Sequence, residues 1–239
     1  MVGFVIGYYG LGFYFDPTYW LVIIGTVICL FASAYVDSVM GRFHKQGNVN
    51  GISGVDCARR ILDNEGLYYV NVECVDRGDH YDPKEHTVRL SRKNFYGTSV
   101  TAVSVAAHEC GHAIQHGEEY GPLQFRSGLV PVVNICSYAG IPLIMIGILF
   151  SYNQFFIQLG IWTFVVSVVF QFVTLPVEFN ASRRATKKLE AMNILNEEEL
   201  SGSRKVLRAA AYTYVAAVAA AVLQLMRLVL LFGGNRRRD

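Results

Sequence analysis

The first 41 residues contain neither lysine nor arginine, although the 239-residue chain carries 21 of them. Against 19 acidic residues the net charge is only +2, so total charge gives no case for a nucleic-acid partner. Cysteine is scarce. Cys29, Cys57, Cys74, Cys110 and Cys136 are odd in number, scattered, and form no C-x-x-C pair. That argues against a disulfide framework and is compatible with a reducing compartment. Internal repeats and low-complexity tracts are absent as well.

What the chain does have is long apolar runs. The apolar fraction is 52% and the mean hydropathy is positive, high for a soluble protein. Residues 19–36 are charge-free and just long enough to cross a bilayer. No basic segment precedes them and Asp16-Pro17 stands almost directly in front, so they read as a membrane span and not a signal peptide. Residues 3–15, rich in glycine and aromatics and too short to span, read as an interfacial or re-entrant piece. Residues 129–150 and 155–177 read as a transmembrane hairpin joined by a four-residue connection. Residues 206–232 are alanine-rich, with Arg208 and Arg227 near their ends, and are the weakest span.

Between the first two runs lies a polar section. Val55, Ala58, Ile61 and Leu62 make one apolar stripe of an amphipathic helix that Gly66 stops. Residues 68–75 and 86–91 read as strands, and Asp79-His80-Tyr81-Asp82-Pro83 between them as a turn. A sheet edge here would suit an extended peptide bound by strand addition.

A helix capped by Thr98 or Ser99 then carries His108-Glu109-Cys110-Gly111-His112, an H-E-x-x-H pattern. At ~100° per residue the two histidines lie ~40° apart, one turn above the other, so both imidazoles can reach one zinc ion. Glu109 falls beside that metal as a carboxylate able to take a proton from an attacking water, the chemistry of metal-assisted hydrolysis. Cys110 points to another face and reads as core.

A catalytic zinc keeps three protein ligands. The short-range solution, H-E-x-x-H-x-x-G-x-x-H, is not present: Gln115 replaces the glycine and Glu118 the last histidine. His116 shares the helix face but sits ~12 Å along the axis from His108, and reads as a solvated histidine. The alternative is a glutamate from a later helix. Glu178 borders an apolar run just after Pro176, which is expected to kink or end that helix at the membrane face.

Seven stretches carry a family resemblance. They are residues 15–19 (Phe-Asp-Pro-Thr-Tyr), 54–62 (Gly-Val-Asp-Cys-Ala-Arg-Arg-Ile-Leu), 79–83 (Asp-His-Tyr-Asp-Pro), 105–115 (the zinc motif and its flanks), 129–135 (Leu-Val-Pro-Val-Val-Asn-Ile), 175–184 (Leu-Pro-Val-Glu-Phe-Asn-Ala-Ser-Arg-Arg) and 213–217 (Thr-Tyr-Val-Ala-Ala). In this order they resemble the bacterial membrane-bound neutral zinc metallopeptidases of the YugP type. More distantly, the chain is similar to membrane peptidases of the HtpX and CAAX prenyl endopeptidase type. The resemblance implies Zn2+ held by His108, His112 and Glu178, with Glu109 as general base. It puts Ser182 where the distant relatives carry an aspartate. A serine there brings no charge to a zinc histidine, so Asn180 becomes a second candidate for supporting the ligands.

The expectation is therefore a mainly α membrane protein. It has three to four transmembrane helices and a small α+β zincin-like catalytic domain on one membrane face. The divisions are 1–41, a membrane segment; 42–127, the catalytic domain; 128–177, the hairpin; 178–205, a cytoplasmic helix with the third ligand; and 206–239, an apolar helix and basic tail. The expected activity is that of a zinc metallopeptidase, a metalloendopeptidase, acting on a peptide or membrane-protein substrate at the lipid bilayer, without nucleic acid. The rival is a non-catalytic scaffold with a structural zinc, which would need a fourth ligand from Cys110, His116 or His80. For stabilising charge on the substrate carbonyl, His80, Tyr81 and Arg183 are the candidates. Basic residues at 183–188 and 204–205, against none at 151–154, put the catalytic face in the cytoplasm of a multi-pass cell-membrane protein. Arg236, Arg237 and Arg238 disagree if the last segment spans.

Overall fold

The computed structural model describes residues 16–233, so the expected interfacial piece at 3–15 and the arginine tail lie outside the described residues. Four long helices dominate: α1 (Tyr19–His44), α5 (Gly121–Leu149), α6 (Gln154–Ala191) and α7 (Glu197–Phe232). Each is long and apolar enough to cross a membrane, α7 included. Within their most apolar windows only 6% of α1 and 17% of each of the others is buried inside the chain. The apolar surface left over, such as Trp20, Phe31, Ile135 and Leu149, is what a bilayer would cover. α1 packs on α7, α5 on α6, and α6 on α7. Close approach in the hairpin relies on Gly140, Gly147 and Gly160, where a β-carbon would come within 2.6 Å of the facing helix.

The polar section folds between α1 and α5. It comprises α2 (Gly54–Asn64), β1 (Asn71–Val75), β2 (His80–Asp82), β3 (Thr87–Ser91), the short α3 (Arg92–Phe95) and α4 (Val100–Gly117). Cys57, Ala58, Ile61 and Leu62 of α2 are fully buried against α4, and Gly66 ends the turn after it with φ of +71°. β3 is the central strand, parallel to β1 and antiparallel to β2. Its Val88 and Leu90 point into the core, while Arg89 ties Asp82, Glu73 and Glu85 together on the other face.

Three expectations change here. His80–Asp82 is a strand at the sheet edge, not a turn; three residues ending in Asp-Pro carry turn chemistry, and only pairing with β3 reveals the strand. The first strand starts at Asn71, leaving Tyr68 and Tyr69 exposed. α6 continues through Pro176 to Ala191, so Glu178 rides on the membrane helix itself, and the 178–205 segment divides between α6, a turn and the start of α7. A proline is tolerated where neighbouring helices hold both halves, and here α4, α5 and α7 all pack on α6.

Candidate metal centre

α4 begins at Ser99, whose hydroxyl accepts the Ala102 N–H at 3.1 Å, and its wall of small residues lets it run through the middle of the fold. It touches α2, the sheet, α6 and α7, and most of its residues are buried. The histidines project from its middle and C-terminal half. The His108 and His112 rings stand edge to face, with centroids 4.8 Å apart.

α6 brings the third group. Glu178 is 2% exposed, and its Oε2 lies 3.3 Å from His108 Nε2 and 3.5 Å from His112 Nε2. One ligand atom from each of the three residues lies within 4.8 Å of the others. Ligands held ~2.0–2.1 Å from a tetrahedral zinc are ~3.3–3.4 Å apart, close to the observed separations. Glu178 Oε2 is buried without a hydrogen-bond partner, the state of a carboxylate oxygen that a cation would satisfy. The donor set and its spacing therefore fit zinc.

The imidazoles are fixed from behind. Gln115, fully buried, gives both protons of its amide away, to the Val177 carbonyl at 2.9 Å and to Asn180 Oδ1 at 3.0 Å. Its Oε1 is then the acceptor 3.0 Å from His112 Nδ1. That ring must carry its proton on Nδ1, which leaves the Nε2 lone pair facing the site. Asn180 also accepts from Arg184 Nε at 2.7 Å, and Arg184 pairs with Glu118 at 2.7 Å. Arg184 thereby holds the Glu118 carboxyl below its ordinary range. The Ser182 hydroxyl lies 3.2 Å from His108 Nδ1. So Ser182 meets a histidine directly, while Asn180 acts one step further back, through Gln115. No local pattern in the sequence marks Gln115 for this role.

A cavity of about 190 Å³ opens on this cluster. Glu109, 7% exposed, lies on its wall together with the three candidate ligands. β2 contributes His80 and Tyr81 to the rim, as two of the expected groups. The third, Arg183, does not line this cavity; one residue past Ser182, it lines two other grooves. Two groups that sequence reasoning missed take part instead: Arg126 from the start of α5 and Tyr214 from α7. Arg126 has a buried Nε without a partner, and its NH1 lies 3.9 Å from Glu178 Oε1.

Cys110 is fully buried, with its thiol 3.6 Å from the Ala58 carbonyl, and burial holds that thiol well above its ordinary pKa. It packs in the core, as expected. His116 is partly exposed, as a solvated histidine would be, but it also has partners. Its Nδ1 meets the Tyr81 hydroxyl at 2.8 Å and its ring stacks on His86. Neither residue joins the cluster, and among the described residues no other group of three or more metal-ligating side chains converges.

Comparison with known proteins agrees with this geometry. The family described as "Putative neutral zinc metallopeptidase" matches residues 18–233. A curated relative, "Putative membrane protease YugP" of Bacillus subtilis (strain 168), is 44% identical over 212 residues, covering 87% of this chain and 93% of that protein. No solved structure matches. With a family match across most of its length, a membrane protease relative at this identity and a His-His-Glu cluster facing Glu109, the chain belongs to the neutral zinc metallopeptidase family.

Proposed function

We propose that the protein is a membrane-embedded metalloendopeptidase in which His108, His112 and Glu178 hold zinc and Glu109 is the general base. The observation that carries this reading is the convergence of two Nε2 atoms and an orphaned carboxylate oxygen on a cavity that Glu109 also faces. Bound there, zinc supplies a Lewis acid that polarises the scissile carbonyl and acidifies a water. The rest falls to the chain. Gln115 and Ser182 keep the imidazoles oriented. Glu109 accepts a proton from the attacking water and returns it to the leaving amine. Arg126 and Tyr214 face the same cavity from α5 and α7, and donate to the carbonyl oxygen as it gains charge.

The substrate is an extended peptide or an exposed segment of a membrane protein. β2 supports this: it pairs with β3 on one side only, and His80 and Tyr81 carry it along the cavity rim. An added strand would run past the metal site. The basic residues Arg183, Arg184, Lys187, Lys188, Arg204 and Lys205 gather at the ends of α6 and α7 on this face, while residues 150–153 have none, which favours a cytoplasmic active site. The test is cleavage of an unstructured protein by the purified, detergent-solubilised, zinc-loaded chain beside Glu109→Gln. Loss of cleavage in a variant that still holds zinc is the expected result. Equal cleavage by both would remove Glu109 from the mechanism.

A further inference from the structure

A second concentration of chemistry lies between α6 and α7, on the far side of Ser182 from the cavity. Phe179, Ser182, Arg183 and Thr186 follow i, i+3, i+4, i+7 spacing and form one face of α6; Arg204, Leu207, Arg208 and Ala211 repeat that spacing on α7. The faces meet in an open groove of about 330 Å³. α7 starts shortly after α6 ends, and Glu190 faces Arg204, so the two helices form an antiparallel hairpin. The groove is therefore graded along its length. Phe179 and Ala211 adjoin the apolar runs at one end, Arg204 lies towards the turn at the other, and Arg183 and Arg208 lie between.

Little of this charge is used within the chain. Arg204 reaches Glu190 at 3.4 Å in an exposed pair. The neighbouring carboxylates Glu118 and Glu65 are taken by Arg184 and Lys188, and among the described residues Arg183 and Arg208 have no ion-pair partner. Unpaired guanidinium groups facing one groove call for an anion with several acceptor oxygens. The groove's apolar end, at the level where both helices enter the membrane, calls for one that continues into hydrocarbon.

We propose that this groove binds an anionic phospholipid. Arg183 and Arg208 hold its phosphate, Arg204 faces the outer headgroup, and Phe179 and Ala211 lie against the start of an acyl chain. The assignment rests on charge and membrane depth and not on the peptidase reading. Since the Ser182 hydroxyl meets His108 Nδ1, the lipid would sit one side chain from the metal centre.

Native mass spectrometry of the full-length protein tests it, with phosphatidylglycerol and phosphatidylcholine of identical acyl chains offered in equal amounts. Each basic residue near a membrane surface strengthens binding of anionic lipid about fivefold, so two predict a preference of roughly 30-fold for phosphatidylglycerol. Arg183→Gln with Arg208→Gln should bring the ratio near unity, and Arg208→Lys should keep most of it. Exchanging Arg77 and Lys84, exposed and remote, for Gln should leave it unchanged. Glycerol phosphate, which has the phosphate without the tail, should not displace the lipid. No preference in the wild type overturns the proposal without recourse to any variant. So does an unchanged ratio in the double variant, or an equal loss in the remote control. Displacement by glycerol phosphate would assign the groove to a soluble phosphate instead.

Discussion

A β-carbon on Gly111 would lie 2.6 Å from the Ala181 carbonyl oxygen, so α4 and α6 meet there backbone to backbone. The contact organises the site. His108 stands three residues before Gly111 and His112 one after it; Glu178 and Ser182 stand in the same positions around Ala181. Closing the helices on this pair of small residues sets the two histidines opposite the glutamate and the serine.

Gly111→Ala therefore forces the helices apart or bends them. The added carbon meets backbone, which cannot swing aside as a side chain can. Overpacking of this kind costs about 1–3 kcal/mol. The variant is expected to melt at a lower temperature and to retain less zinc than wild type after identical purification. A variant with wild-type zinc content would show that the Gly111 contact is not what brings Glu178 to the histidines.

Gln115→Ala removes the side-chain partner of His112 Nδ1, the side-chain donor to the Val177 carbonyl and one of the two donors to Asn180 Oδ1. Supporting residues of this type change metal affinity about 10–100-fold. Competition against a chelator should reveal a loss in that range, with Ser182→Ala losing less, since Ser182 meets His108 through a single contact. An affinity within twofold of wild type for Gln115→Ala would assign the amide to packing alone.

The sequence revealed the parts of this site that local pattern encodes. Two histidines one helical turn apart with a carboxylate between them are a local signal, and Glu178 stood out as a lone acid against an apolar run. Ser182 needed the family resemblance. Gln115, Arg126 and Tyr214 were not recognised because their roles depend on which helices pack together. Gln115 gains its meaning from the Val177 carbonyl, 62 residues away. Tyr214 lies in an alanine-rich run where a tyrosine looks like one more membrane-facing aromatic. Arg126 gave no signal either, since an arginine just before an apolar span ordinarily snorkels to the interface. β2 and the continuation of α6 past Pro176 escape local pattern for a similar reason, since tertiary pairing overrules turn and breaker residues.

Glu109→Gln keeps the shape of the side chain and removes its basicity. Zinc content should match wild type, because the candidate ligands are His108, His112 and Glu178. Turnover should fall by at least the ~10²–10⁴-fold attributed to a positioned general base. Parallel measurement of metal and cleavage separates this loss from loss of the ion.

His116 gives the protein an acid sensitivity of its own. Burial, and then the neighbouring His86, hold its pKa below the ordinary value. Burial also pushes the Tyr81 hydroxyl up to about 12, so it stays a donor and His116 Nδ1 the acceptor at working pH. A lowered histidine pKa means that the unfolded chain takes up the proton first as pH falls. The stabilisation is present above ~6.5 and is lost as pH falls through the folded value. Between pH 7.5 and 5.5 the melting temperature of wild type should drop further than that of His116→Asn, measured under the same metal conditions. Parallel curves would show that His116 contributes no pH dependence to folding.

Tyr214 faces the cavity from α7, and its hydroxyl hydrogen-bonds the Glu178 carboxylate, so an effect on rate must be separated from an effect on metal binding. Tyr214→Phe removes one hydroxyl and keeps the ring. If that hydroxyl also donates to the carbonyl oxygen as charge develops, kcat at saturating zinc falls while KM holds. Removal of one such donor costs about 10²–10³-fold in kcat. Arg126→Gln removes a charge as well as a donor. Its guanidinium lies within 3.9 Å of Glu178 as well as on the cavity wall, so some weakening of zinc binding is expected alongside the loss of rate. Single-turnover cleavage at saturating zinc resolves the two cases. A Tyr214→Phe enzyme with raised KM and unchanged kcat would make Tyr214 a substrate-binding residue, and leave Arg126 with His80 and Tyr81 on the rim to supply the donor.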